Sequence, residues 1–505
     1  MPCVSTSADE HLPAGESPHP PAPVEGRRTQ EGAGRSPVRA GSRVVIIGGG
    51  PGGYEAALVA AQLGARVCVV ERQGMGGAAV LTDVVPSKTL IATAEWMTST
   101  GDAAELGIRG GAEGTTVDMA AVNRRVMELA ALQSRDIRAR LEREGIRIVD
   151  GTGRIAGDLR SDGTRPVHVT TPDGGEEELV AEIVLVATGA HPRVLPDAQP
   201  DGDRILTWAQ MYNLTELPEH LVVVGSGVTG AEFASAYNGL GVPVTLVSSR
   251  DRVLPGEDED AAELIETVFR RRGMNVLSRT RAAAVRRTED GVEVELTDGR
   301  VVPASHCLLA VGGVPNTEGL GLEEAGVALT EGGHVRVDRV SRTTAVRVYA
   351  AGDCTGELPL ASVAAMQGRI AMWHALGDAV SPLDLDAVTA NIFTAPEIAT
   401  IGVTEREVLD GVVDAVVTQL PLARNPRAKM LGIREGFVKV MADRHSGAVV
   451  GGVVVAPRAS ELIFPVAVAV AQRITVDQLA NVYTIYPSLT GSIAEAARTL
   501  HQTGE

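Results

Sequence analysis

The sequence predicts an α/β chain with two Rossmann-like dinucleotide-binding domains followed by a C-terminal α+β domain. Two stretches carry the first part of that prediction. RVVIIGGGPGGYEAALVAAQLGARVCVVER from Arg43 and HLVVVGSGVTGAEFASAYNGLGVPVTLVSSR from His220 share one design: an apolar strand, a Gly-x-Gly-x-x-Gly turn, an alanine-rich helix and a second strand. The third observation is a change of texture from about residue 385, where strand-like runs at 436–441 and 448–455 and a helix near 462–472 follow without a further glycine fingerprint.

Residues 1–42 are rich in Pro, Gly, Ser and Arg and lack apolar periodicity, so a disordered tail is predicted there. No apolar core precedes a small-residue cleavage site, and no secretory leader is expected. The remaining chain is long enough for several cores: 505 residues, 44% of them hydrophobic. A formal net charge of -18 argues against binding a phosphate backbone, and no nucleic-acid partner is expected. The longest apolar stretch, 462–471, is too short to span a bilayer and is interrupted by Pro465. Cys3, Cys68, Cys307 and Cys354 have no paired spacing, which suits a cytoplasmic protein and gives no metal site. Among 46 basic residues the only lysines are Lys88, Lys429 and Lys439, so each one invites a reason.

In the first fingerprint Gly48 allows the tight turn, Gly50 lets a pyrophosphate approach the backbone, and Gly53 lets helix and strand pack closely. Gly225, Gly227 and Gly230 repeat these roles, so two dinucleotides are predicted. Glu71 ends the second strand of the first copy, where ribose hydroxyls need an acid. The second copy ends instead in Ser248, Ser249 and Arg250, which tolerate a 2′-phosphate that a carboxylate would repel, so NADPH or NADH can serve as donor.

Between the two copies lies GGAAVLTDVVPSK, from Gly76 to Lys88, which resembles the active-site segment GG-x-C-x4-C-x-PSK of the flavoprotein disulfide reductases, the family of dihydrolipoamide dehydrogenase and glutathione reductase. The two cysteine positions fall on Ala79 and Val84, so neither can exchange electrons with a disulfide. The landmarks Ala187-Thr188-Gly189, Val348 to Asp353 and Phe393 to Ala399 extend the resemblance over nearly the whole chain after residue 42. It implies FAD at the first fingerprint, including Pro51 and Gly52, with Glu71 on the adenosine ribose and Gly153 near the adenine part. Gly77, Ala78, Lys88, Thr188 and Gly189 are implied to line the same cofactor, Asp353 and Ala361 to contact its ribityl and flavin region, and Gly312 to belong to the nicotinamide side. The implied domains are FAD-binding at 43–193, NAD(P)-binding at 194–313, a central FAD-contacting segment at 314–385 and a dimerisation domain at 386–505 of a homodimer.

By the same resemblance Lys88 and Glu232 form the pair beside flavin N5, where a positive charge favours incoming hydride. The family's C-terminal His-x-His-Pro-Thr-x-Ser-Glu reads Thr484 to Gly491 here, which puts Tyr486 at the acid–base histidine and Gly491 at its glutamate. Tyrosine, with a pKa of about 10, moves thiol protons poorly at neutral pH. Gly313 replaces an arginine that the family usually carries. A flavoprotein without disulfide or base must hand its electrons on directly. The Tyr-Pro-Ser-Leu segment and the run Leu358 to Arg369 resemble the bacterial NAD(P)H quinone reductases that lack the redox-active disulfide and the His–Glu pair. The expectation is an FAD-dependent NAD(P)H:quinone oxidoreductase with Lys88, Glu232 and Tyr486 as catalytic residues; the alternatives are a soluble transhydrogenase, an NAD(P)H oxidase or a non-catalytic FAD-binding subunit.

Overall fold

The structure, a computed structural model, describes residues 41–109 and 114–501. Apart from Gly41 and Ser42, the tail expected at 1–42 lies outside the described residues. Eight helices frame the site: α1 (Pro51–Gln62), α2 (Gly77–Leu81), α3 (Val84–Asp102), α4 (Met119–Arg143), α5 (Val228–Gly239), α6 (Glu259–Arg271), α7 (Ala361–Leu376) and α8 (Glu405–Leu409).

Both glycine fingerprints sit where the sequence places them, each at the tip of a parallel five-stranded sheet. The first sheet runs Val348–Ala350, Ile183–Val186, Arg43–Ile47, Arg66–Glu71, Arg147–Asp150, and the second Asn275–Leu277, Val244–Val247, Leu221–Val224, His306–Leu309, Ile205–Thr207. Their central strands, such as Val44 to Ile47 and Leu221 to Val224, are buried on both faces, which is why they read as continuous Val/Ile/Leu runs. α1 and α7 cross in backbone contact, because a Cβ on Gly368 would collide with the carbonyl of Gly52.

The third sheet is antiparallel, in the order Thr389–Ile392, Glu397–Gly402, Val449–Ala456, Phe437–Asp443, Ala415–Pro421. Helix Phe464–Ala471 follows, with Pro465 in its first turn, where a missing N–H costs nothing. Strand Gly313–Pro315 pairs with Ala190–Pro192 across the expected domain divisions.

One core cluster unites Leu90 and Ile91 of α3, Phe233 and Tyr237 of α5, and Ile392, Phe437 and Val455 of the antiparallel sheet. The functional side chains described below project from elements that share this core. An ion cluster around one buried lysine adds a second tie. Lys439, fully buried on its strand, places Nζ 2.8 Å from Asp258 Oδ2 and 2.8 Å from Asp260 Oδ2, and it also contacts Glu405. Asp258 caps α6, Asp260 lies in its first turn and Glu405 opens α8, so the cluster pins the start of α6 to the antiparallel sheet.

Candidate active site

The two glycine loops are alike in detail. Gly48 and Gly225 hold φ of +106° and +112°, and a Cβ on either would strike the carbonyl of Ala187 or Ala310. Gly53 and Gly230 allow α1 and α5 to touch the carbonyls of Gly48 and Gly225. Gly50 and Gly227, by contrast, face open space, and each begins its helix without a side-chain cap. Uncapped amides beside an open cradle are what a pyrophosphate needs, so the residues present fit two bound dinucleotides. Glu71 supports the first loop: its carboxylate accepts from Gly49 N at 2.6 Å and Gln73 N at 2.7 Å. A carboxylate has about four lone-pair sites, so ribose hydroxyls can still be accepted.

Of the other residues expected around FAD, Gly77 packs against the same loop. Gly77 lies where a Cβ would come within 3.0 Å of Gly50 Cα, so the segment carrying Ala78, Ala79 and Val84 is pressed against the fingerprint turn. Gly153 fits between Val70 and Ile47, which a Cβ would meet at 3.3 and 3.4 Å. Asp353 follows the strand Val348–Ala350, and burial raises its carboxyl above the usual range. Ala361 is the first residue of α7, which starts without a side-chain cap. Thr188 has a different task, since its hydroxyl donates to Asn316 O at 2.6 Å while Asn316 Nδ2 donates to Thr188 O at 2.9 Å. This clamp, with Gly189 O accepting from Asn316 N, locks the crossing between the two parallel sheets.

Lys88 and Glu232 meet as expected, Nζ to Oε2 at 2.7 Å, with Glu232 buried and Lys88 part-exposed. Sequence reasoning missed the third member. Phe393 donates its N–H to Glu232 Oε1 at 2.9 Å and lays its ring 4.9 Å from Lys88 Nζ. Both carboxylate oxygens are therefore committed, and the ammonium is held between an anion and a ring face.

At the second fingerprint the structure corrects one residue. Ser248 is fully buried: its hydroxyl lies 2.7 Å from Ser226 Oγ and bonds the backbone of Arg250 and Arg252. It satisfies the turn and does not face a ribose. Ser249 and Arg250 are exposed, and among the described residues Arg250 has no ion-pair partner, whereas Arg252 pairs with Glu259 and Arg279 with Asp251. Gly312, with φ of +91°, lies just past the strand His306–Leu309 of this sheet.

Residues 42–368 match the family described as pyridine nucleotide-disulphide oxidoreductase, and residues 388–497 match its dimerisation domain. The chain belongs to this family. It is 54% identical to the NAD(P)H dehydrogenase (quinone) of Mycobacterium tuberculosis over 91% of this chain and 94% of the relative. It is 32% identical to the dihydrolipoyl dehydrogenase of Bacillus subtilis, over 90% and 97% of the two chains. The crystal structure of LpdA from Mycobacterium tuberculosis superposes with a TM-score of 0.88 at 54% identity, covering 91% of this chain and all of that one.

Within the pyridine nucleotide-disulphide oxidoreductase frame the departures are plain. Among the described residues no cysteine lies near α2 or α3; Cys68, Cys307 and Cys354 are buried elsewhere and free, and burial raises their thiols. Tyr486 does not approach Lys88 within its own chain. It stands exposed with Val482, Tyr483 and Ile485 on the dimerisation region. Among the described residues, no helix is long and apolar enough to cross a membrane.

Proposed function

We propose that the protein is an FAD-dependent NAD(P)H:quinone oxidoreductase that works as a homodimer and passes electrons to its acceptor without a protein disulfide. The observation that carries this reading is the intact Lys88–Glu232–Phe393 constellation beside a segment in which Ala79 and Val84 stand at the cysteine positions. The 54% identity to an NAD(P)H dehydrogenase (quinone) over nearly the full length supports it. The dimerisation match and the exposed apolar side chains around Tyr486 support the dimer.

FAD, when bound, supplies a two-electron carrier between nicotinamide and acceptor. The Gly48–Gly53 loop with the α1 amides would hold its pyrophosphate, with Glu71 on the ribose and Asp353 and Ala361 toward the ribityl chain. The Gly225–Gly230 loop and α5 would hold NADPH or NADH, with Ser249 and Arg250 at the 2′-position. Glu232 fixes Lys88 Nζ, and Phe393 N–H keeps the carboxylate from turning away. The charge is thus preorganised where negative charge develops, a contribution of roughly 2 to 4 kcal/mol. Tyr486 would close the vacated apolar slot from the partner subunit. The domain divisions at 193, 313 and 385 are proposed with the same reading, as is a cytoplasmic location.

Steady-state turnover with NADPH and NADH against a panel of quinones, lipoamide, glutathione disulfide, dioxygen and an oxidised nicotinamide analogue tests the assignment. Quinones should be the fastest acceptors. Turnover dominated by the analogue, by dioxygen or by a disulfide would replace it with the corresponding reading, and failure of NAD(P)H to bleach bound flavin would leave a non-catalytic subunit.

A further inference from the structure

Reduction of a quinone to a hydroquinone takes one hydride and one proton. The hydride comes from the reduced cofactor; the family's proton-handling histidine is absent, and Tyr486 would reach the slot only from the partner subunit. A proton donor from the same subunit has to lie near the vacated cysteine positions.

Asp83 stands immediately before Val84, in the break between α2 and α3. Its backbone is held on both sides, with Asp83 N donating to Ala78 O at 2.9 Å and Ser87 N donating to Asp83 O at 2.8 Å. Its carboxylate is not. Asp118 and Asp258, which also begin helices, spend theirs on capping, at 2.9 Å to Ala121 N and 3.2 Å to Ala261 N. Asp83 caps nothing, and among the described residues its side chain forms no hydrogen bond or ion pair. The groups facing it are Lys88 on α3, Glu232 on α5, Asp353 after the strand Val348–Ala350, and the buried Tyr212 hydroxyl. Burial pushes the Asp83 carboxyl up to about 6; Lys88 works against that rise, and Glu232 and Asp353 work with it.

Its neighbours are less suited to give a proton. Both Glu232 oxygens are engaged, and burial together with the Asp83 charge holds the Tyr212 hydroxyl well above its ordinary range. Asp353 has its part in holding the ribityl chain under the reading above.

Resting on that reading, we propose that Asp83 is the general acid of the oxidative half-reaction, delivering a proton to the quinone oxygen as hydride reaches the acceptor. The O–H bond of the carboxylic acid breaks, an O–H bond forms on the acceptor, and the two hydride electrons complete the hydroquinone. Water then reprotonates the carboxylate. A one-electron, outer-sphere acceptor such as ferricyanide needs no such proton.

The test uses the FAD-loaded, NADPH-reduced protein mixed anaerobically with a quinone or with ferricyanide. In the wild type, reoxidation by quinone should fall as pH rises through about 6, while ferricyanide shows no such step. The absorbance of the oxidised, bound flavin should shift with the same midpoint, which is a readout independent of turnover. Asp83→Asn should retain bleaching by NADPH and reoxidation by ferricyanide, lose the absorbance step, and slow with quinone on the order of a hundredfold or more. Asp83→Glu should recover part of that rate. Equal losses with both acceptors, a quinone rate within threefold of wild type in Asp83→Asn, or a pH-independent quinone reaction in the wild type would each overturn the proposal. Wild-type protein that ferricyanide reoxidises and no quinone does would overturn the quinone assignment itself, and the acid role with it.

Discussion

Replacing Lys439 with Met keeps most of the volume of a fully buried side chain and removes the cation that holds Asp258, Asp260 and Glu405 together. At 2.8 Å and an effective dielectric constant of about 20, each contact is worth roughly 6 kcal/mol before the cost of burying the ammonium is counted. Most of that is offset by desolvation, and the loss expected is at most about 3 to 5 kcal/mol, most of it from orphaning the buried Asp258, since Asp260 and Glu405 are part-exposed. For a cooperative unit of about 150 to 250 residues this corresponds to a fall in melting temperature of roughly 6 to 20 °C. Burial disfavours the Lys439 ammonium, but the hydrogen bonds it donates to Asp258, Asp260 and Glu405 outweigh that and raise its pKa above the ordinary value of 10.5. Its stabilisation is therefore complete below pH 10.5 and is lost as pH rises through the folded value, so the gap between wild type and variant should be full at pH 7 to 9 and close in stronger alkali. Thermal unfolding followed both by tryptophan fluorescence and by flavin release measures it, the earlier transition being the relevant one in a multidomain chain. A shift below about 2 °C would refute the reasoning, because the cluster would then be no stronger than a surface pair.

Lys88→Met should stay yellow, since the glycine loop and Glu71 are untouched, while its single-turnover bleaching by NADPH falls roughly a hundredfold or more; bleaching at the wild-type rate would remove Lys88 from the chemistry. Arg250→Ala should raise the KM for NADPH about ten- to hundredfold and spare NADH, given a charge-assisted hydrogen bond of about 1.5 to 3 kcal/mol, and an equal effect on both nucleotides would free Arg250 of the 2′-position. Ser248→Glu should weaken both nucleotides and lower the melting temperature, because the buried hydroxyl that holds the turn has no room for a longer carboxylate; a clean switch to NADH would show that the turn reopens. Asp83→Asn should raise stability at pH 8, because the carboxyl is pushed from 3.8 to about 6 and its ionisation opposes folding once pH exceeds both values, a penalty of up to roughly 3 kcal/mol. That gain should shrink to about half at pH 5, and urea midpoints that do not differ between the two pH values would place the Asp83 carboxyl in an ordinary environment.

The sequence was most legible where backbone geometry demands a particular residue. Gly48 and Gly225 are forced by a left-handed turn against a neighbouring carbonyl, and both fingerprints stand where the motif puts them. Lys88 and Glu232 were legible as a motif pair, but Phe393, which fixes the far side of the carboxylate, lies just past the strand Thr389–Ile392, which only tertiary packing brings near. Ser248 was misread because a strand-end position says nothing of rotamer: its hydroxyl satisfies buried backbone groups that would otherwise be orphaned. Lys439 stood out as one of three lysines, yet its partners lie 181, 179 and 34 residues away, a separation that leaves no local pattern. The ladder between Gly313–Pro315 and Ala190–Pro192 was equally silent, since three residue pairs are too few to carry a periodic signal.

The central claim is that reduced flavin passes its electrons straight to a quinone. Anaerobic double-mixing stopped flow tests it: the protein is bleached with one equivalent of NADPH, then mixed with quinone, lipoamide or glutathione disulfide while flavin absorbance is followed. The account predicts that quinone restores the absorbance at least as fast as steady-state turnover and that both disulfides leave the flavin bleached. Reoxidation by lipoamide at a rate comparable to quinone would contradict it.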